Sequence, residues 1–88
     1  MHEFSLLHDL LEKIEVVAEE NGSDQVIGVK VRLGALAHIS PSHLREHFDH
    51  AVVGTVAEGA RLDIEELKDE HDPHAQEIIL DSIEVAEM

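Results

Sequence analysis

The spacing of the hydrophobic residues changes several times along this chain, and the order of those changes constrains the fold more than any other feature. Over residues 3–20, apolar side chains recur at steps of three and four, which is typical of an amphipathic helix. Over residues 27–33 every second residue is apolar, which predicts a half-buried strand whose inward side chains are Ile27, Val29, Val31 and Leu33. Each element therefore has one apolar side, which another element must cover.

A second amphipathic helix is predicted to start at Ser40. Ser40 is a suitable N-cap residue, and Pro41 fits the first helical position because its missing N–H is not needed there. The helix is expected to end near Gly54. Its inward stripe consists of Leu44, Phe48, Ala51, Val52 and Thr55.

Two more strands are predicted, over residues 60–67 and 77–86, with a polar loop at 68–76 between them. The first of these strands alternates cleanly. The second breaks its alternation around Asp81 and Ser82, which predicts a β-bulge at that point.

The resulting order is α-β-α-β-β, and it predicts the topology. A strand, helix and strand in succession favour a right-handed crossover between parallel strands, whereas the last two strands are expected to pair antiparallel. The outward Lys30 and Arg32 would then face Asp63 and Glu65, in pairs that stabilise a sheet by about 0.2–1 kcal/mol each. We expect an α/β (α+β) fold in which residues 1–88 form one small domain, with two helices on one face of a three-stranded mixed sheet.

Composition excludes several classes of function. The formal net charge of −14 argues against binding to nucleic acid or to an anionic membrane surface, and it suits a cation or a basic protein partner. The chain has no apolar run long enough to span a bilayer and no basic, apolar leader, so we expect a cytoplasmic protein. A thin core with only two aromatic residues and exposed strand edges would also suit a homodimer.

The start of the chain carries a pattern that can bind metal. The bulky His2 should prevent removal of Met1, so the free amine of Met1 lies next to His2. The amine, the His2 amide nitrogen and the His2 imidazole can form adjacent chelate rings, and the Glu3 amide nitrogen can add a fourth donor. Four nitrogens in a plane suit Ni(II) or Cu(II). The alternative interpretation is a solvated terminal histidine with no ligand.

A second group of histidines lies on the second helix. His43, His47 and His50 follow at i, i+4 and i+7, which places them on one side of the helix, beside Glu46. The H-x-x-E-H spacing is also found in inverted zinc proteases. Three interpretations remain open: a face that is simply solvated, a weak metal-buffering face, and a protease site, which would need a third ligand and a cleft.

Four segments, MHEFSL, VKVRLGALAHISPSHLREHFDH, GTVAEGARLDIEE and ILDSIEVAE, resemble the HypA family of hydrogenase-maturation nickel chaperones in the order of that family. The resemblance implies a nickel-binding domain with two helices on a three-stranded mixed sheet. It implies that Met1, His2 and Glu3 hold Ni(II), with His2 as the essential side chain. It further implies a non-enzymatic carrier that delivers nickel to a [NiFe]-hydrogenase large subunit with the help of the GTPase HypB.

The chain departs from this family in one respect. Members usually insert a zinc module with two C-x-x-C pairs between the last two strands, whereas this chain has residues 68–76 there and no cysteine. Structural zinc in a family-type thiolate site is therefore expected to be absent. The alternatives to a short-form nickel chaperone are a paralog that kept the fold as a protein-interaction module without metal, and a His-rich metal buffer.

Overall fold

The elements of the computed structural model follow the predicted order. The model describes the backbone of residues 3–86 and the side chains of residues 5–86. The elements are α1 (Glu3–Glu20), β1 (Val26–Leu33), α2 (Pro41–Ala51), β2 (Arg61–Glu66) and β3 (Ile78–Val85). The predicted composition of two helices and three strands is thus confirmed. No helix in this part of the chain is long and apolar enough to cross a membrane.

The sheet has the order β2-β1-β3, with β1 at its centre. Strands β1 and β2 are parallel, as predicted, with Val29 opposite Leu62. Strand β3 pairs antiparallel with β1 and not with β2, so the prediction that the last two strands pair with each other was wrong. The connection over residues 67–77 is longer than a hairpin loop of two to five residues, and it reaches across the end of β1 to the other edge.

The predicted bulge in β3 is present at Asp81. Lys30 lies opposite Ser82 and Val31 lies opposite Leu80, so Asp81 is the extra residue between them. A bulge redirects the side chains next to it, and here it brings the Asp81 carboxylate towards the outer face of β1.

The Asp81 carboxylate changes the ion pairs that were expected on the sheet. Its oxygens lie 3.7 Å from Lys30 Nζ and 3.5 Å from Arg32 Nη2. Lys30 and Arg32 do lie in register with Asp63 and Glu65 along β2, but their charged groups contact Asp81. The prediction had the register right and the ion pairs wrong.

A second irregularity lies at the start of β1. Val26 is opposite Val85 and Gly28 is opposite Glu84, which leaves Ile27 as the extra residue on β1. Ile27 is consequently 38% exposed, whereas Val26 is buried at 1%. The inward orientation expected for Ile27 was wrong, because the alternation of sides is interrupted by the bulge.

Both helices cover the same face of the sheet. Helix α1 packs against β3 and helix α2 packs against β2. Their apolar stripes join the inner face of the sheet in one hydrophobic cluster, and the charged side chains of β1 lie on the opposite, open face. The largest fully buried side chains of this core are Phe48, Leu10, Ile14, Leu44, Val26, Val29, Val31 and Val52.

Helix α2 begins as predicted and ends slightly early. The Ser40 side chain caps it by accepting a hydrogen bond from the His43 amide at 3.2 Å, and Pro41 occupies the first turn. The helix ends at Ala51, before Gly54, which adopts a left-handed conformation with φ of 81°. A residue with that φ interrupts helical geometry, so the chain continues as a series of turns to β2.

The 67–77 connection is bound tightly to the carboxyl end of β1. The Leu67 amide donates to the Leu33 carbonyl at 2.9 Å, and the Gly34 amide donates to the Glu77 carbonyl at 2.9 Å. The Leu36 amide donates to the Ala75 carbonyl at 2.7 Å. A Cβ atom on Gly34 would lie 2.2 Å from the Ala75 carbonyl oxygen, so only glycine fits at this crossing.

His74 stabilises the same connection from its exposed side. Its amide donates to Asp72 Oδ1 at 2.7 Å, and its Nδ1 lies 2.5 Å from Glu77 Oε2. The hydrogen bond and the charge of Glu77 raise the pKa of His74 above its ordinary value, with a smaller contribution from Asp72. The imidazolium form of His74 is therefore favoured by folding.

We expect Gly34→Ala to lower the free energy of unfolding by about 2–4 kcal/mol, because the added methyl group forces the backbone at Ala75 to move. Chemical denaturation measures the change. Gly59→Ala is the control: its φ of 76° costs about 1–2 kcal/mol, but its added methyl group meets no atom within 4 Å. Wild-type stability in Gly34→Ala, with a loss only in Gly59→Ala, would show that the close contact at Gly34 has no energetic role.

We expect Glu77→Gln to lower the pKa of His74 towards about 6.5, as followed by the NMR titration of its ring protons. Because folding raises this pKa, the stabilisation is complete below about pH 6.5 and is lost as the pH rises through the His74 pKa. Glu70→Gln removes the same charge from the same connection and serves as the control. A His74 titration that shifts equally in both variants would contradict a specific contact with Glu77.

Candidate metal centre

The predicted ligands precede a helix that is anchored from its first turns. Met1, His2 and the side chain of Glu3 lie outside the described residues, so their role as nickel ligands stays a prediction. Helix α1 begins at Glu3, and three leucines within its first eight residues are buried: Leu6 at 5%, Leu7 at 7% and Leu10 at 1% exposure. The backbone that follows the predicted ligands is therefore held to the hydrophobic core.

The backbone amides at the start of α1 have no acceptor within the helix. The first four N–H groups of any α-helix lack the carbonyl four residues earlier, and the Glu3 amide belongs to this group. Its nitrogen can bind a metal without breaking a helical hydrogen bond. The positive end of the helix dipole also favours a deprotonated, anionic nitrogen at this place.

The topology places the starts of both helices at one end of the sheet. The short connection over residues 21–25 turns α1 antiparallel to β1, so α1 begins near the carboxyl end of β1. Helix α2 starts after the 34–40 segment that leaves the same end, and it must run back for β2 to lie parallel to β1. The 67–77 connection crosses this end as well, so the starts of α1 and α2 and this connection share one end of the fold.

A polar cavity of about 330 Å³ lies at that end, between the 34–39 segment and the start of the 67–77 connection. Its polar side chains are His38, Glu66, Lys68 and Glu70. His38 has φ of 59°, a left-handed conformation that is uncommon for histidine. Sequence reasoning did not identify this cavity, because it forms only when β3 takes the far edge of the sheet and the connection crosses β1.

The structure brings together His43 and His47 of the predicted histidine face. Their ring centroids are 5.2 Å apart, and the ring planes are inclined by 45°. Among the residues whose side chains are described, no group of three or more His, Cys, Asp or Glu is arranged to hold a metal ion. The third ligand that a zinc protease requires is thus not found in this part of the chain, and nothing in it supports the protease interpretation.

Charged side chains on the open face of the sheet form ion pairs with one another. Arg61 Nε lies 2.9 Å from Asp63 Oδ2, and Arg61 Nη2 lies 3.3 Å from Glu84 Oε1. These contacts, that with Asp63 first, raise the pKa of Arg61 above its ordinary value. The guanidinium lies across Gly28, where a Cβ atom would be 2.7 Å from Arg61 Nη2. This arrangement ties β2 to β3 over the central strand.

Comparison with known proteins identifies the family. Residues 1–72 match the family model described as hydrogenase/urease nickel incorporation, metallochaperone, HypA. The chain is 43% identical over 65 residues to the hydrogenase maturation factor HypA of Methylocella silvestris, an alignment that covers 74% of this chain and 58% of the relative. It is 41% identical over 66 residues to the HypA of Escherichia coli, covering 75% and 57%.

Solved structures match the architecture. The solution structure of the Ni metallochaperone HypA from Helicobacter pylori superposes with a TM-score of 0.80 over 97% of both chains, at 21% identity. This superposition shows a common fold, and it covers β3, which lies beyond the family-model match.

This chain aligns with only part of the length of its curated relatives. The sequence alignments span somewhat over half of the curated relatives, 61% in the HypA of Aquifex aeolicus, which is 44% identical over 70 residues. The family-model match ends at residue 72, inside the connection between β2 and β3. With most of its length matched by the model and with these relatives above 40% identity, the chain belongs to the HypA family.

Proposed function

We propose that this chain is a nickel carrier that binds Ni(II) at its amino terminus and passes it to an enzyme under assembly, without being an enzyme itself. The single observation that carries the proposal is membership of a family described by nickel incorporation into hydrogenase and urease. The curated relatives are named hydrogenase maturation factors, which favours hydrogenase over urease as the recipient. We therefore propose the [NiFe]-hydrogenase large subunit as the recipient and the GTPase HypB as the partner, in the cytoplasm.

The proposed ligands are the Met1 amine, the His2 amide nitrogen, the His2 imidazole and the Glu3 amide nitrogen. The amine and the His2 amide close a five-membered ring on the metal, and the His2 amide and imidazole close a six-membered ring. Such a planar set of four nitrogens suits Ni(II). Two features of α1 support it: the burial of Leu6, Leu7 and Leu10 just after the site, and the Glu3 amide that needs no helical acceptor.

The same ligand set explains how nickel is released. A planar set of ligands leaves both faces of the ion open, so a ligand of the recipient can attack before any bond to the carrier breaks. Protonation of the His2 imidazole and of the amide nitrogens opposes rebinding, because a metal competes with protons for every one of these donors. The net charge of −14 attracts the cation and favours a basic partner surface.

We infer that residues 1–88 act as one nickel-binding domain without an inserted zinc module. These residues contain no cysteine, so they cannot supply the thiolates of a Cys-based zinc site. The ordered 67–77 connection, with its contacts to Gly34 and Leu36, occupies the place where the resemblance puts that module. Docking of partners that relies on the module would then have to use other surfaces.

We expect His2→Ala to weaken Ni(II) binding more than about 100-fold, since altering even the groups that merely orient a ligand typically costs 10–100-fold. Calorimetry on protein with an unextended amino terminus measures this change. In the wild type, affinity should also fall as the pH drops through about 6.5, where the imidazole gains a proton.

The matched control is His8→Ala, six residues further along the chain in α1, where His8 Nε2 lies 3.0 Å from Glu12 Oε1 and the side chain is 70% exposed. It should bind nickel like the wild type. Equal affinity in the wild type and His2→Ala would contradict the proposed carrier site. An absence of saturable one-to-one uptake by the wild type would favour the interaction module without metal.

We expect a Gly-Ser extension before Met1 to weaken binding and to change the geometry of the ion, because it converts the terminal amine to an amide. Planar four-nitrogen Ni(II) is diamagnetic, so the native terminus should give sharp NMR signals with one equivalent of nickel. The extended chain should bind a six-coordinate, paramagnetic ion that broadens nearby signals. Six-coordinate nickel at the native terminus would refute the planar site.

A further inference from the structure

We propose that His43 and His47 form a second metal site on α2, in which their two imidazoles hold one divalent ion of the nickel, copper and zinc group. This site goes beyond the proposed function, since it uses none of the atoms at the amino terminus. It uses two of the three histidines that the sequence analysis identified on this helix, and these two have no role in the proposed function.

The separation of the two rings carries the inference. A metal–nitrogen bond of about 2.1 Å, with the ring centre about 1.2 Å beyond, puts two imidazoles of one ion about 4.7 Å apart at a right angle and about 5.4 Å apart at a tetrahedral angle. The observed separation of 5.2 Å between His43 and His47 falls between these values. Rotation of each ring about its Cβ–Cγ bond nearly keeps the ring centre in place, so the pair can turn one nitrogen of each ring towards a shared ion with no movement of the helix.

The helix holds this pair in place before any metal binds. Each histidine directly precedes a fully buried residue, Leu44 after His43 and Phe48 after His47, both at 0% exposure. The Ser40 side chain fixes the first turn by accepting from the His43 amide. Binding then costs little more than the rotational freedom of two side chains.

Charge and ligand type define the ion. Imidazole nitrogen is a good donor for zinc, copper and nickel, whereas magnesium and calcium prefer oxygen. Exposed Glu46, three residues after His43 on the same helix, adds negative charge near the pair. Each imidazole has two nitrogens, and chelation of one ion requires one nitrogen from each ring. Since no third protein ligand converges among the described side chains, water completes the coordination.

The site is weaker than the proposed terminal one and lies towards the same end of the fold. Two nitrogen donors in place of four should lower affinity at least about tenfold, a difference of about 1.4 kcal/mol. His43 is in the first turn of α2, which starts at the end of the sheet where α1 also begins. A loosely held ion on α2 would therefore lie at the same end of the fold as the start of α1.

The test uses the full chain with His2→Ala, which removes the terminal site. On addition of nickel chloride in a weakly coordinating buffer, we expect paramagnetic broadening of the His43 and His47 ring signals before those of any other histidine. The melting temperature should rise by about 5 °C or more once nickel exceeds the dissociation constant tenfold. Adding His43→Gln should abolish both effects, and glutamine keeps the helix propensity.

Two further variants make the result decisive. His47→Gln in the His2→Ala chain should behave like His43→Gln, while His50→Gln on the same helix should leave both effects in place. Broadening that centres on another histidine, or that survives both His43→Gln and His47→Gln in folded protein, would overturn the second site. The terminal site is judged separately, by the wild type against His2→Ala, so either proposal can fail without the other.

Discussion

Strand β1 can lie at the centre of this fold only if water is removed from its apolar side chains along its whole length. Val26, Val29, Val31 and Leu33 are all at most 4% exposed, beneath two helices that come from either side of β1 in the sequence. Burial of such side chains contributes about 1.5–3 kcal/mol each, as an upper estimate. With only two aromatic residues in the chain, these aliphatic contacts supply most of the core. The positions of both helices follow from the need to cover this strand.

The shared end at which both helices begin is a consequence of this arrangement. Both helices must run antiparallel to β1 to cover it with short connections, so both begin at its carboxyl end. Helix starts present unpaired N–H groups, and this chain also places histidines before or within the first turns of its helices. Both proposed metal sites thus precede or lie in helix turns that start at one end of the sheet, and the acidic composition supplies a general attraction for cations.

The sequence predicted the elements well and the strand pairing less well, for identifiable physical reasons. The helical stripe of α1, the cap at Ser40 and the alternation in β2 are local patterns, and local interactions determine them. The neighbour of β3 depends on which strand edge the 67–77 connection can reach, which is a long-range property. Ile27 was misplaced because a one-residue bulge reverses the sides of a strand, and its own sequence carries no signal of it.

The candidate metal sites show the same difference between local patterns, which can be predicted from sequence, and long-range contacts, which cannot. The proposed ligand set at Met1, His2 and Glu3 can be predicted from sequence because its chelate rings would involve adjacent residues. The close approach of the His43 and His47 rings follows from helical spacing, although their 5.2 Å separation depends on the rotamers that the folded helix allows. By contrast, the cavity beside His38 and the contact of Gly34 with Ala75 join segments that are far apart in sequence. No local sequence pattern predicts the cavity or this contact.

The route of the 67–77 connection has a consequence for how members of the family can differ in length. It leaves one edge of the sheet and returns at the other, and hydrogen bonds to Leu33 and Gly34 hold its two ends. The pairing of β1 with β2 and with β3 lies outside the loop that these two hydrogen bonds close. A whole module can therefore be inserted or deleted between Leu67 and Glu77 during evolution without a change in the geometry of the helices and their shared core.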